Sequence, residues 1–224
     1  MKDVSGGRRE LRKAQTRADI RAAAHQLFAE RGFEAVTTAD IAAAADVAVQ
    51  TVFNHFESKE ALFFDGRIPE ITGPAAAIAG RPPGTGPLTA LRCQVEQDIS
   101  GLVAGEGLPE RRSYVEAMVH SPDLQARGRA LMGQAVELTA DALATALAGP
   151  ARPAPAPVQL LSRLTAELFF NAGRVLAGEH RRTGLTEGWT AAGQAAAQAA
   201  VTATFAVLED AVRQLAGQLG LSVD

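Results

Sequence analysis

Several kinds of chemistry are excluded by what the sequence lacks. Cys93 is its one cysteine in 224 residues, so no internal disulfide can form. Nothing pairs with it at a zinc-ligand spacing, and a reducing cytoplasm is the expected setting. Aromatic residues make up 5% of a chain that is 47% hydrophobic. Much of the apolar content is therefore alanine, as in Ala22-Ala23-Ala24, Ala42 to Ala45 and Ala195-Ala196-Ala197. Alanine is the best helix former and a poor strand former, which points to an all-α protein. No stretch approaches the roughly 18 uninterrupted apolar residues of a membrane span, so no membrane partner is expected. The segment Met1 to Glu10 is charged and leads into no apolar h-region, which speaks against a secretory signal. The length suits one or two domains with a real core.

Excess charge is also scarce, with 22 Lys+Arg against 25 Asp+Glu and a net −3. That average argues against nucleic acid only if the charge is evenly spread. It is not: residues 8–21 hold Arg8, Arg9, Arg12, Lys13, Arg17 and Arg21 against Glu10 and Asp19. Residues 1–15 therefore read as a basic N-terminal arm, and 16–71 as a first helical domain. Thr16 is expected to cap its first helix, which carries Ile20, Ala23, Ala24, Leu27 and Phe28 and stops at Gly32. Thr38 is expected to cap a short second helix with Asp40 in its first turn, followed by a third over 49–55. Ser58 caps a fourth that reaches about Ile71 and carries Phe63, Phe64 and Ile68. Residues 72–87, with Gly73-Pro74 and Gly80 to Pro87, read as a connector, and 88–224 as a second helical domain. Its helices are expected at about 88–104, 109–119, 122–147, 158–180 and 188–218, with a proline-rich joint over 149–157.

No catalytic constellation emerges. The glycine-rich connector lacks the Gly-Lys-Ser/Thr of a phosphate loop. His25, His55, His120 and His180 are scattered, and no paired carboxylates or metal spacing appears. No enzyme activity, cofactor or metal is expected. A helical sensor or adaptor is the other class kept open, motivated by Ala48, Asp46 and Phe53.

The chemistry gathers in the first sixty residues. Two short helices joined by a tight turn and packed on a longer one have the dimensions of a helix-turn-helix, whose second helix reads the major groove. Val47, Val52 and Phe56 are its natural inward residues. Val49, Gln50, Thr51, Asn54 and His55 are left to reach DNA, the two amides suiting adenine edges and Val49 a thymine methyl. Thr38 and Thr51 offer hydroxyls to phosphate, and Arg12 and Lys13 belong to the basic run that can lie along the backbone. Lys59 stands in a first helical turn, where the dipole disfavours a cation and an external anion would relieve the conflict. His55 suits either phosphate or a hydrogen-bonded place between the third and fourth helices.

The series Thr16-Arg17-x-x-Ile20, Ala24-x-x-Leu27-Phe28-x-x-x-Gly32-Phe33, Thr37-Thr38-x-x-Ile41-Ala42 and Val47-x-x-x-Thr51-Val52-Phe53-x-His55-Phe56-x-Ser58-Lys59-Glu60-x-Leu62 resembles the DNA-binding domain of TetR-family transcriptional regulators. The resemblance implies a three-helix DNA-binding domain followed by a helical ligand-binding and dimerisation domain, with nine or so helices. It implies a homodimeric, ligand-responsive repressor whose last two helices build the dimer interface. Two recognition helices on a pseudo-palindromic operator are the expected mode of binding. The alanine and leucine content with few aromatics suits a small, largely apolar effector. The resemblance marks Thr38, Thr51, His55 and Lys59 as contacting or positioning the DNA backbone. Ala48 departs from it where a capping Ser is usual, Asp46 where Gly is common, and Phe53 where Tyr is common. Phe53 stays among the DNA-facing candidates without the phenolic contact, although its ring, like that of Phe56, also suits a core.

In the last helix Val201, Phe205, Leu208, Val212, Leu215 and Leu219 recur at steps of four and three, the period of a helix–helix seam. The preceding helix carries Leu161, Leu164, Leu168, Ala172, Val175 and Leu176. Such a seam can be internal core, but two adjacent helices with more apolar surface than one core needs suggest a dimer interface around a two-fold axis. Tyr114, Met118, Phe169 and Phe170, with Arg112 and Asn171 as polar anchors, are the candidates for an effector pocket.

Overall fold

The computed structural model describes residues 4–69, 71–106, 108, 111–149 and 154–223, with side chains from residue 7 onward. Among them all regular structure is helical, with no strand. The helices are α1 (Val4–Arg31), α2 (Thr38–Ala44), α3 (Val49–His55), α4 (Lys59–Phe64), α5 (Gly73–Ala79), α6 (Pro87–Glu106), α7 (Arg112–His120), α8 (Pro122–Ala148), α9 (Ala156–Glu187) and α10 (Ala191–Gln218). They fall into two compact units, Met1–Ile68 with Glu110–Arg127, and Pro69–Pro109 with Gly128–Asp224.

The first unit is built on aromatic side chains, although the chain as a whole has few. Six of its nine phenylalanines lie between residues 28 and 64. Phe63 is the hub: Phe28, Phe33 and Phe64 meet it at 5.8, 5.2 and 5.3 Å between ring centroids. Ile20 and Ala24 of α1, Ile41 and Ala42 of α2 and Val52 of α3 complete the core at the helical spacing read from the sequence. Tyr114 of α7 stacks on Phe63 at 4.5 Å, which brings an element far along the chain into this unit.

Several boundaries differ from expectation. Thr16 does not start a helix: α1 is continuous from Val4, and the Thr16 hydroxyl donates to the Arg12 carbonyl one turn back. Arg12 and Lys13 are thus exposed residues of a helix. The cap of α2 is Thr37 instead of Thr38. Its side chain accepts from the Asp40 N–H while Asp40 accepts from the Thr37 backbone, a complete capping box. Those bonds from Thr37, helped by the charge of Arg31, hold the Asp40 carboxyl below its usual range. Ser58 caps α4 as expected, accepting from Ala61 N–H. Helix α4 stops at Phe64, however, and Gly73-Pro74, read as loop, opens α5. A proline in the first turn of a helix loses no intrahelical bond. Gly32 closes α1 in the left-handed region with φ 78°, and Asp46 takes φ 52° in the turn between α2 and α3. The preference for glycine at the Asp46 position is therefore a backbone requirement.

The second unit packs α6, α9 and α10 together, with α5 against α6. Its core gathers Leu88, Leu91 and Val95 of α6, Leu161 and Phe169 of α9, and Val201, Phe205 and Val212 of α10. Phe169 and Phe205 stack at 5.6 Å. Leu161, Val201, Phe205 and Val212 were expected at a dimer seam, but at 0–3% exposure they are spent on this internal core. Among the described helices α10 is long and apolar enough by composition to cross a membrane. Its apolarity is largely alanine, and its Glu209 is buried among charged partners. Burial would raise the Glu209 carboxyl, but the hydrogen bond from Thr89 and the charges of Arg213 and Arg92 outweigh it and hold the group low.

Candidate nucleic-acid interface

Helix α3 is anchored by its buried side and open on the other. Val52 and the flanking Phe56 are buried, and Val47 is half-buried. Gln50 and Asn54 are exposed, Thr51 and His55 half-buried. Ala48 leaves the helix without a side-chain cap. Val49 is 40% exposed and Phe53 50% exposed, so the Phe53 ring is surface and not core. Gln50 Nε2 donates to Asn54 Oδ1 at 3.3 Å along the open face.

Arg17 fixes the other end of α3, a role the sequence reading missed. Its Nη1 donates to the His55 carbonyl at 2.5 Å, its Nη2 pairs with Asp65 at 2.5 Å, and its guanidinium lies 4.1 Å from the Phe56 ring centre. One side chain of α1 thus satisfies a terminal carbonyl of α3 and neutralises the residue that ends α4. The partners lie 38 and 48 residues away, beyond any local spacing signal.

Lys59 also finds its partners inside the protein. Its ammonium donates to the carbonyls of Phe33 and Val36 at 3.0 and 3.1 Å and sits 4.1 Å from the Phe33 ring centre. The expected conflict with the helix dipole is relieved by these acceptors without an external anion. Lys59 therefore positions the α1–α2 connection against α4. Thr38 lies half-buried in the first turn of α2.

Side-chain contacts join these helices to α7 and the start of α8 within the same unit. Tyr114 stacks on Phe63, with the Arg67 guanidinium 4.9 Å from its ring centre. Ser121 Oγ donates to Glu34 at 2.7 Å. Arg127 pairs with Glu57, in the link between α3 and α4. Nearby, burial and the charge of Arg67 push the His25 ring down to about 4, and the neutral ring donates from Nε2 to the Leu62 carbonyl at 3.1 Å.

The six residues expected to line an effector pocket are distributed otherwise. Arg112, Tyr114 and Met118 lie on α7 in the first unit, with the Tyr114 ring against Phe63. Phe169 is core, and Phe170 packs on a small cluster of Val136, Ala140 and Ala166. Asn171 donates to Glu167 and lines a surface groove between α9 and α10. That groove holds about 510 Å³ and is also lined by Leu164, Leu168, Val175, Thr204 and Leu208. Leu164 and Leu168 are 42% and 46% exposed, whereas Leu208 and Leu215 are partly buried against the core. Among the described residues no group of three or more His, Cys, Asp or Glu side chains is placed to hold a metal ion.

Residues 20–65 match the sequence model of the family described as bacterial regulatory proteins, tetR family. Two crystal structures of NalD from Pseudomonas aeruginosa share the fold. That protein is described as the secondary repressor of the MexAB-OprM multidrug efflux pump. The first is 18% identical with a TM-score of 0.53, covering 86% of this chain and 94% of NalD. The second is 19% identical with a TM-score of 0.52, covering 86% and 96%. Full-length TylP of Streptomyces fradiae, described as a tetR regulator, is 25% identical over 89% of this chain and 80% of its own, with a TM-score of 0.47. A comparison with curated protein sequences gives no match.

Proposed function

We propose that this chain, whose residues 20–65 match the model of the tetR family of bacterial regulatory proteins, is a ligand-responsive repressor that binds a pseudo-palindromic operator as a homodimer. The observation that carries the reading is α3: pinned by Val52, Phe56 and Arg17, it offers Val49, Gln50, Phe53 and Asn54 on its open side. Exposed arginines and lysine on α1, among them Arg12 and Lys13, supply sequence-independent attraction to phosphate. Two copies of α3 would enter successive major grooves about 34–36 Å apart.

The α9–α10 groove supports the dimer. Leu164, Leu168 and Val175 form an exposed apolar stripe that a second copy would cover around a two-fold axis. The effector is a small, largely apolar molecule. It releases DNA by preferring an arrangement of α7 that the DNA-binding form disfavours, because a ligand shifts an equilibrium only through differential affinity. The Tyr114–Phe63 stack and the Glu34–Ser121 and Glu57–Arg127 contacts are the links through which α7 and α8 hold the DNA-binding helices.

Selection of tight-binding duplexes from a random pool, followed by titration, tests this reading. An enriched inverted repeat bound at least tenfold more weakly by Gln50→Ala and by Thr51→Ala is the expected result. Equal binding by those variants removes α3 as the recognition surface.

A further inference from the structure

The open side of α3 carries two different stripes side by side. Residues four apart share a helical face, so Gln50 and Asn54 make an amide stripe and Val49 and Phe53 an apolar one. The amide stripe is internally ordered. Gln50 Nε2 donates to Asn54 Oδ1 at 3.3 Å, which leaves Gln50 Oε1 to accept and Asn54 Nδ2 to donate outward. An adjacent acceptor and donor complement the N6 donor and N7 acceptor of adenine. The apolar stripe is unusual for a surface meant for water: Val49 is 40% and Phe53 50% exposed, while Val52 and Phe56 of the same segment are buried. Removing the Phe53 ring from water requires an apolar surface on the partner. In the major groove the C5-methyl group of thymine is the apolar feature, and it lies in the same base pair as the adenine edge.

We infer that this regulator reads thymine methyl groups through Val49 and Phe53, next to adenine edges held by Gln50 and Asn54, so that the centre of each half-site is A·T. The inference rests on the proposed DNA-binding function and assigns its sequence preference. Phe53 is thereby a specificity residue instead of a phosphate ligand, which explains why a ring without a hydroxyl serves at this position.

The test uses the full chain and the duplex enriched by selection. Each thymine is replaced in turn by deoxyuridine, which keeps the hydrogen-bonding edge and removes only the methyl group. For the unmodified protein, affinity is expected to fall about fourfold at each contacted thymine, the change that corresponds to burial of one methyl group. For Phe53→Ala and Val49→Ala, whose side chains lie largely outside the core, the same replacement is expected to change affinity less than 1.5-fold at the contacted position. Circular dichroism and melting temperature establish that both variants remain folded. An enriched operator in which uracil is tolerated at every position overturns the inference while leaving the DNA-binding function in place. So does a uracil penalty that persists undiminished in both variants. Failure to enrich any sequence overturns the function and the inference together.

Discussion

At the scale of single residues, the first unit depends on polar groups turned inward by a few long-range contacts. His25 is the clearest case. Its folded-state value of about 4 lies below the ordinary 6.5, first through burial and then through the charge of Arg67, with Arg21 adding to the repulsion and Asp65 opposing it. Above pH 6.5 both folded and unfolded chains carry a neutral ring. As pH falls below 6.5 the unfolded chain takes a proton that the folded chain refuses, so stability is lost progressively until about pH 4. The expected contribution is about 1–2 kcal/mol after allowance for solvent screening. Urea midpoints measured from pH 7 to 5 should fall for the unmodified protein, with a shallower slope for His25→Gln, whose amide can still donate to the Leu62 carbonyl. Identical slopes would remove His25 as the titrating group.

At the scale of elements, α3 is short and lacks the side-chain cap that Thr37 gives α2 and Ser58 gives α4. Ala48 already has the extended backbone of a cap residue, with φ −70° and ψ 148°. Ala48→Ser should therefore stabilise the chain by about 0.5–2 kcal/mol, read as a higher denaturant midpoint with an unchanged slope. Most elements were legible in the sequence because the apolar period, Gly32 and Ser58 are local signals. The start of α1 was not, because Thr16 has the chemistry of a cap but spends its hydroxyl on the turn behind it. The roles of Arg17 and Lys59 were hidden for a different reason: their partners are backbone carbonyls, which carry no residue-type signature. For α9 and α10, periodicity marks which residues are apolar but not what they face. Leu161 and Phe205 fill the core, while Leu164 and Leu168 remain outside.

At the scale of the whole molecule, the small net charge conceals an uneven distribution, and the scarce aromatics are concentrated where α1, α4 and α7 meet. If a second copy covers the α9–α10 groove, a charge placed there destroys the assembly. Leu168→Glu should give a monomer by sedimentation velocity and retain its helicity. It should also lose at least tenfold in affinity for a two-half-site duplex, because linked half-sites no longer add. A Leu168→Glu protein that still sediments as a dimer would place the interface elsewhere.

The central claim is that α3 reads base sequence, and the most direct measurement is equilibrium binding of the full chain to its selected operator and to a scrambled duplex of equal length and composition. At physiological salt the operator should be bound about 10³-fold more tightly or better. In Gln50→Ala/Asn54→Ala that ratio should collapse toward one while the weaker, salt-dependent binding to the scrambled duplex persists. Equal affinity of the unmodified protein for the two duplexes, or an undiminished ratio in the double variant, would contradict the account.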